Sequence, residues 1–155
     1  MNGESHLLAD VVAETLEQFA FLFVEPEAGT DVPARPVDYI QATIGFSGGG
    51  EQGTVTIAAP AVLCREMAGN ILGQDNTEID ADVAADAIKE LSNILAGSLT
   101  ARRLGVGTQC SLSPPVARML GPDQIRELLA RPGALRFRVD EHLFVAVLEE
   151  KPAGV

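Results

Sequence analysis

The chain has 155 residues, 46% of them hydrophobic, which fits a single folded domain over residues 1–155 with a sizeable core. A formal net charge of −11, with only 11 Lys and Arg against 22 Asp and Glu, argues against nucleic acid or an anionic membrane as partner. No apolar run is long enough to cross a membrane and the first residues carry no leader pattern, so the expected compartment is the cytoplasm.

Apolar periodicity predicts a first helix over 8–24, with Val11, Val12, Thr15, Leu16, Phe19 and Phe23 on its buried face. Its end, 19–24, is apolar nearly all round and is expected to be deeply packed. Glu25-Pro26 stops it, and 26–36 reads as a loop. Alternation at Ile40, Ala42, Ile44 and Phe46, then again over 54–58, predicts a hairpin with a long glycine-rich turn over 47–53. That turn lacks a Gly-Lys-Ser/Thr ending and leads into a strand, so it is not a phosphate loop. Pro60 opens a short helix with Leu63, Cys64, Met67, Ala68 and Ile71 as its apolar side. Thr77 or Asp80 can cap the next and longest helix, over 80–104. Beyond it, 108–112 reads as a strand stopped by Pro114-Pro115, 116–130 as partly helical around Ile125, Leu128 and Leu129, and 135–139 and 142–148 as strands joined by a turn at Asp140-Glu141. Residues 149–155 read as a frayed tail.

Cys64 and Cys110 fit no metal or redox spacing and read as buried thiols. His6 and His142 are isolated from each other in sequence, so no metal is expected on this chain, and no histidine general base.

The long helix carries the chemistry. Ala84, Ile88, Leu91 and Leu95 form a stripe that can bury against a sheet. On the adjoining face Asp86, Glu90, Asn93 and Gly97 follow each other at spacings of three and four. Lys89 points off this face, and Arg102 and Arg103 favour the helix dipole. A solvated helix face commonly holds Asp, Glu and Asn, so spacing alone does not make a site. Gly97 is a costlier choice in a helix interior and suits close approach of a partner's backbone. Ala9-Asp10-Val11 recurs as Ala81-Asp82-Val83, each opening a long helix followed by strands. This predicts an α/β fold of the α+β type: two helix-then-hairpin halves whose pseudo-repeated long helices pack on one mixed or antiparallel sheet. The first helix lacks the Glu and Asn, so an active face exists once.

The run Glu90-Leu91-Ser92-Asn93-Ile94-Leu95-Ala96-Gly97, with Asp86 before it and Pro114 or Pro115 downstream, resembles the signature of the CheC/CheX/FliY family of chemotaxis phosphatases. The resemblance extends over 42–48, Gly53, Ile57 and 69–73, is nearest to CheX, and implies a CheX-like fold with two pseudo-repeated long helices packed on one mostly antiparallel sheet. It implies an enzyme that hydrolyses the aspartyl phosphate of a CheY-like response regulator, with Glu90 and Asn93 catalytic and Asp86, Gly97, Pro114 and Pro115 meeting the partner. It also implies that the regulator's receiver domain supplies the Mg²⁺, and that the chain forms a homodimer through its sheet. The terminal strands are the expected apolar edge for that contact. The alternative within the same fold is a non-catalytic scaffold that binds a receiver domain or a motor-switch component; an unrelated structural protein is the third reading. A water-positioning carboxamide favours the enzyme.

Overall fold

The computed structural model describes residues 3–25, 33–105 and 107–152. The elements run α1 (Gly3–Ala20), β1 (Tyr39–Gly48), β2 (Glu51–Pro60), α2 (Ala61–Leu72), a 3-10 turn (Asn76–Glu78), α3 (Ala81–Leu104), β3 (Cys110–Leu112), β4 (Val116–Leu120), α4 (Pro122–Leu129), β5 (Leu135–Val139) and β6 (His142–Pro152). Every strand pairing is antiparallel. The sheet order is β3-β1-β2-β6-β5, with β4 continuing β3 along the same edge of β1. The fold is therefore the α+β arrangement expected. The first hairpin, however, fills the centre of the sheet and does not form a half of its own.

Strand alternation builds two cores. Ile40, Ala42, Ile44, Val55, Ile57, Phe144 and Ala146 point to one face, where α1, α2 and α3 pack. Tyr39, Ala58, Leu143, Val145 and Val147 point to the other, where α4 adds Ile125 and Leu128. Ile88, Leu91 and Leu95 of α3 are each at most 1% exposed. Burying one such side chain contributes about 1.5–3 kcal/mol relative to leaving it in water. The two long helices thus share one layer.

Several expectations are corrected. The first helix ends at Ala20, because Phe21 turns into the left-handed region at φ 56°. Beyond it the chain is extended and alternates. Leu22 goes in and Val24 bridges Val139, while Phe21 and Phe23 stand 63% and 71% exposed. With Phe19 at 46%, the expected deeply packed end is the opposite of what forms. Ile71 is likewise exposed, unlike Leu63, Cys64, Met67 and Ala68. The loop expected over 26–36 lies partly outside the described residues, from 26 to 32.

The hairpin turn is two residues long, not seven, since Gly48 pairs with Glu51. Gly49 and Gly50 both take positive φ, as the tightest hairpin turn demands. The flanking glycines belong to the strands and are there for space. A Cβ on Gly48 would sit 2.3 Å from the Gln109 carbonyl oxygen, and one on Gly53 2.4 Å from that of Glu149. The partial helix expected around Ile125, Leu128 and Leu129 forms as α4, and the residues before it, 116–120, are a strand, β4. At the sheet edge Val116 and Met119 are both exposed, so alternation is lost there. The expected tail is instead paired as far as Pro152, opposite Glu51, which completes the ladder along β2. Residues 153–155 lie outside the described part. Cys64 is fully buried and desolvation pushes its thiol up to about 12, whereas Cys110 is half-buried.

Between α2 and the β5–β6 turn, Glu66 shares a hydrogen bond with Asp140. Burial first, then this neighbouring carboxyl, raises the Glu66 carboxyl from 4.5 to about 7. In that range the folded state holds a proton that the unfolded state has released. Stability from this pair is therefore full below about pH 4.5 and falls as pH rises through 7. Glu66→Gln is expected to raise stability at pH 8 by about 1 kcal/mol, allowing for solvent screening of a part-exposed pair. It should also flatten the thermal midpoint between pH 5 and 7, which a melting series at fixed salt checks.

Candidate active site

Helix α3 starts where Asp80 takes an extended backbone and its side chain accepts the Val83 N–H at 2.9 Å. Thr77 is not the cap; its N–H and hydroxyl both donate to Asp75 within the preceding turn. At the other end Arg102 pairs with Glu14 of α1, holding that carboxyl below its usual range. Arg103 pairs with Glu51 at 3.2 Å and with Glu150. These side chains suit the negative helix end and also tie it to α1, β2 and β6. The polar side chains turned inward on α3 are satisfied locally: Ser92 donates to the Lys89 carbonyl at 2.6 Å and Thr100 to that of Ala96 at 2.8 Å. The helix is thus fixed along its buried side, leaving its other face free.

That face holds Asp86, Glu90 and Asn93, all exposed, and Gly97, half-buried. Successive members are roughly 4.5–6 Å apart along the axis. Lys89 is part of the group, contrary to expectation: its Nζ lies 3.3 Å from the Asp86 carboxylate. The i, i+3 spacing was the sequence signal for this pair. It neutralises Asp86 and leaves Glu90 as the unbalanced carboxylate. Among the described residues neither the Glu90 nor the Asn93 side chain has a hydrogen-bond or ion-pair partner. A Cβ built on Gly97 meets nothing within 4 Å, so the chain's own packing does not require glycine there. The face offers a charged acceptor, a neutral donor–acceptor and a stretch of open backbone on one rigid element. That set can orient a water and receive a cation.

Pro114 and Pro115 lie at the break between β3 and β4, two strands that both contact α3. There Ser113 fills the interrupted ladder, its N–H donating to the Gly45 carbonyl at 2.8 Å and its hydroxyl accepting the Gly45 N–H at 2.7 Å. No hydrogen bond or ion pair links this break to the α3 face among the described residues. Sequence reading also passed over Leu72, which projects beside the face from the last turn of α2. A large apolar residue just before the helix-ending Gly73 was the available signal.

A family model described as chemotaxis phosphatase CheX matches residues 40–134, more than half of the chain and inclusive of every residue of this face. The chain belongs to the CheX family. Among solved structures, the chemotaxis protein CheX of Vibrio vulnificus is 17% identical, with 97% of each chain covered and a TM-score of 0.75. The CheX–CheY complex of Borrelia burgdorferi with BeF₃ and magnesium is 14% identical, covering 94% of this chain and 96% of that one, at 0.65. Thermotoga maritima FliY is 14% identical, covering 99% and 91%, at 0.57. At such identities the likeness to CheX and FliY structures is one of fold. A search of the curated proteins finds no match. No helix among the described residues is long and apolar enough to cross a membrane.

Proposed function

We propose that this CheX family member is a cytoplasmic phosphatase that hydrolyses the aspartyl phosphate of a CheY-like receiver domain. The observation that carries this reading is the pair Glu90 and Asn93, side by side, exposed and without partners of their own on the central helix. Family membership supports the reaction class. In the reaction, water attacks phosphorus, the bond from phosphorus to the carboxylate oxygen breaks, and inorganic phosphate and a free aspartate leave. Asn93 holds the water in line, since a neutral carboxamide binds it without repelling the phosphoryl oxygens. Glu90 pairs with a lysine of the receiver domain, and Asp86 lies at the margin of the contact. The metal in this scheme is Mg²⁺ held by the receiver domain, and none is bound by this chain. Pro114 and Pro115 shape the sheet edge, with no chemical step assigned to them.

Gly97 lets the partner's backbone come close. Gly97→Ala is therefore expected to move two quantities in opposite directions. Fold stability should rise by about 0.5–1 kcal/mol, the helix-interior difference between Gly and Ala. KM for the phosphorylated receiver domain should rise severalfold. Thermal melting and steady-state kinetics on one preparation check both.

We also propose a homodimer, through an edge other than the one expected from the terminal strands. Of the terminal strands, β6 lies between β2 and β5, while β5 is an edge that Val24 partly covers at Val139 and that exposes no apolar side chain. Among the described residues the edge with exposed apolar side chains is β4, with Val116 66% and Met119 50% exposed. Sedimentation of the wild type and of Met119→Lys should show a dimer in the first and a monomer in the second. A wild-type monomer at tens of micromolar removes the dimer.

Function is tested by adding the chain to a panel of phosphorylated receiver domains from the same organism and following loss of the acyl phosphate. Accelerated loss from at least one, dependent on Mg²⁺, is the expected result. Unchanged decay of all of them, with tight binding to one, moves the reading to a non-catalytic docking protein.

A further inference from the structure

We infer that the groove between the last turn of α2 and the first half of α3 takes an apolar side chain of the receiver domain flanked by a lysine or arginine, and so selects which receiver domain is acted on. This rests on the reading of α3 as the phosphatase face. The groove encloses about 360 Å³. Its floor is made of small residues, Ala68 and Ala87, with Val83 beside them. Its wall is Ile71 and Leu72, which stand 42% and 53% exposed. The fold does not need large apolar residues there: the helix is ended by Gly73, at φ 70°, whose N–H bonds the Gly69 carbonyl. Two aliphatic side chains left in water beside an apolar floor gain stabilisation only when a partner covers them.

The mouth of the groove identifies the partner. It opens at Asp86 and Glu90. With Lys89 held by Asp86, the unbalanced charge at the mouth is the Glu90 carboxylate. An apolar side chain with a cation beside it complements this rim. A second copy of this chain, at net charge −11, brings like charge to it. Glu90 belongs to both the groove and the phosphatase face, one turn from Asn93. A protein whose phosphate reaches Asn93 therefore lies over the groove as well.

The test uses the double variant Ile71→Ala/Leu72→Ala, which lowers the wall, and Ala87→Leu, which fills the floor. Both change positions open to solvent or half-open, and thermal melting verifies folding. Single-turnover dephosphorylation is measured over a range of enzyme concentrations against the preferred receiver domain. Binding to the same domain, activated by beryllofluoride and Mg²⁺, is measured separately. The expected result is a rise of about tenfold in half-saturating concentration and in Kd for both variants, with the saturating rate unchanged. Unchanged half-saturation and Kd in both variants overturns the groove assignment while leaving the phosphatase reading intact, provided Asn93→Ala still loses the saturating rate. If the wild type hydrolyses no receiver domain, both fall. If the variants alter sedimentation of the free chain and leave Kd unchanged, a second copy occupies the groove and the assignment is overturned.

Discussion

Asn93→Ala should lower the saturating rate of dephosphorylation about 10²–10³-fold, the loss measured in other enzymes when one well-placed polar group is removed. Binding of the beryllofluoride-activated receiver domain should be nearly unchanged. The reason lies in when the contact matters. A water held in line with phosphorus is stabilised mainly as the new bond forms, so its loss appears in kcat and not in affinity. The structure gives this variant a clean background. Asn93 is exposed and has no partner among the described residues, so removing its amide breaks nothing inside the chain. Surface substitutions of this kind are usually within about 0.5 kcal/mol of neutral. Single-turnover measurement at saturating enzyme, with melting curves for both proteins, separates chemistry from folding. A full rate in Asn93→Ala would make the carboxamide an ordinary surface residue, and docking without catalysis would become the better reading.

Most of the fold was legible because two periods are strong in this sequence. The stripe Ala84, Ile88, Leu91 and Leu95 repeats at helical spacing and is buried as expected. Alternation at Ile40, Ala42, Ile44 and Phe46 places β1 correctly, with all four buried. Errors arose where local pattern and tertiary partner disagree. Phe19 to Val24 is apolar throughout, which reads as helix by composition. One left-handed residue at Phe21 converts it to an extended segment with two phenylalanines outward. The seven residues from Ser47 to Gly53 are glycine-rich and polar, which reads as loop. Close approach of neighbouring backbone at Gly48 and Gly53 keeps them in the ladder, a constraint that exists only once the strands are paired. Glu149 and Glu150 look like the start of a solvated tail, yet Arg131 and Arg103 hold them in β6. At the α3 face the row Asp86, Glu90, Asn93 and Gly97 was legible from spacing. The Lys89–Asp86 pair was passed over, and the groove beside Leu72 depends on how α2 crosses α3, which no local pattern encodes.

Glu90→Ala should differ from Asn93→Ala in kind. The carboxylate is the unbalanced charge of the face, because Asp86 already holds Lys89 at 3.3 Å. A lysine of the receiver domain approaching it loses water on both sides as the surfaces close. Truncating one member of such a pair costs about 2 kcal/mol or more, roughly a 30-fold fall in kcat/KM. Part of this should appear in KM, as lost docking, and part in the saturating rate, as looser placement of phosphate against the Asn93 water. Salt supplies an independent readout. For the wild type, raising ionic strength from 50 to 500 mM should weaken association through screening; for Glu90→Ala the slope should be shallower. Glu90→Gln keeps the shape and a hydrogen-bond acceptor but not the charge. It should recover part of the saturating rate and none of the salt dependence. Equal salt slopes in the three proteins would mean that Glu90 meets no cation. Charge steering would then have to come from the rest of this acidic surface.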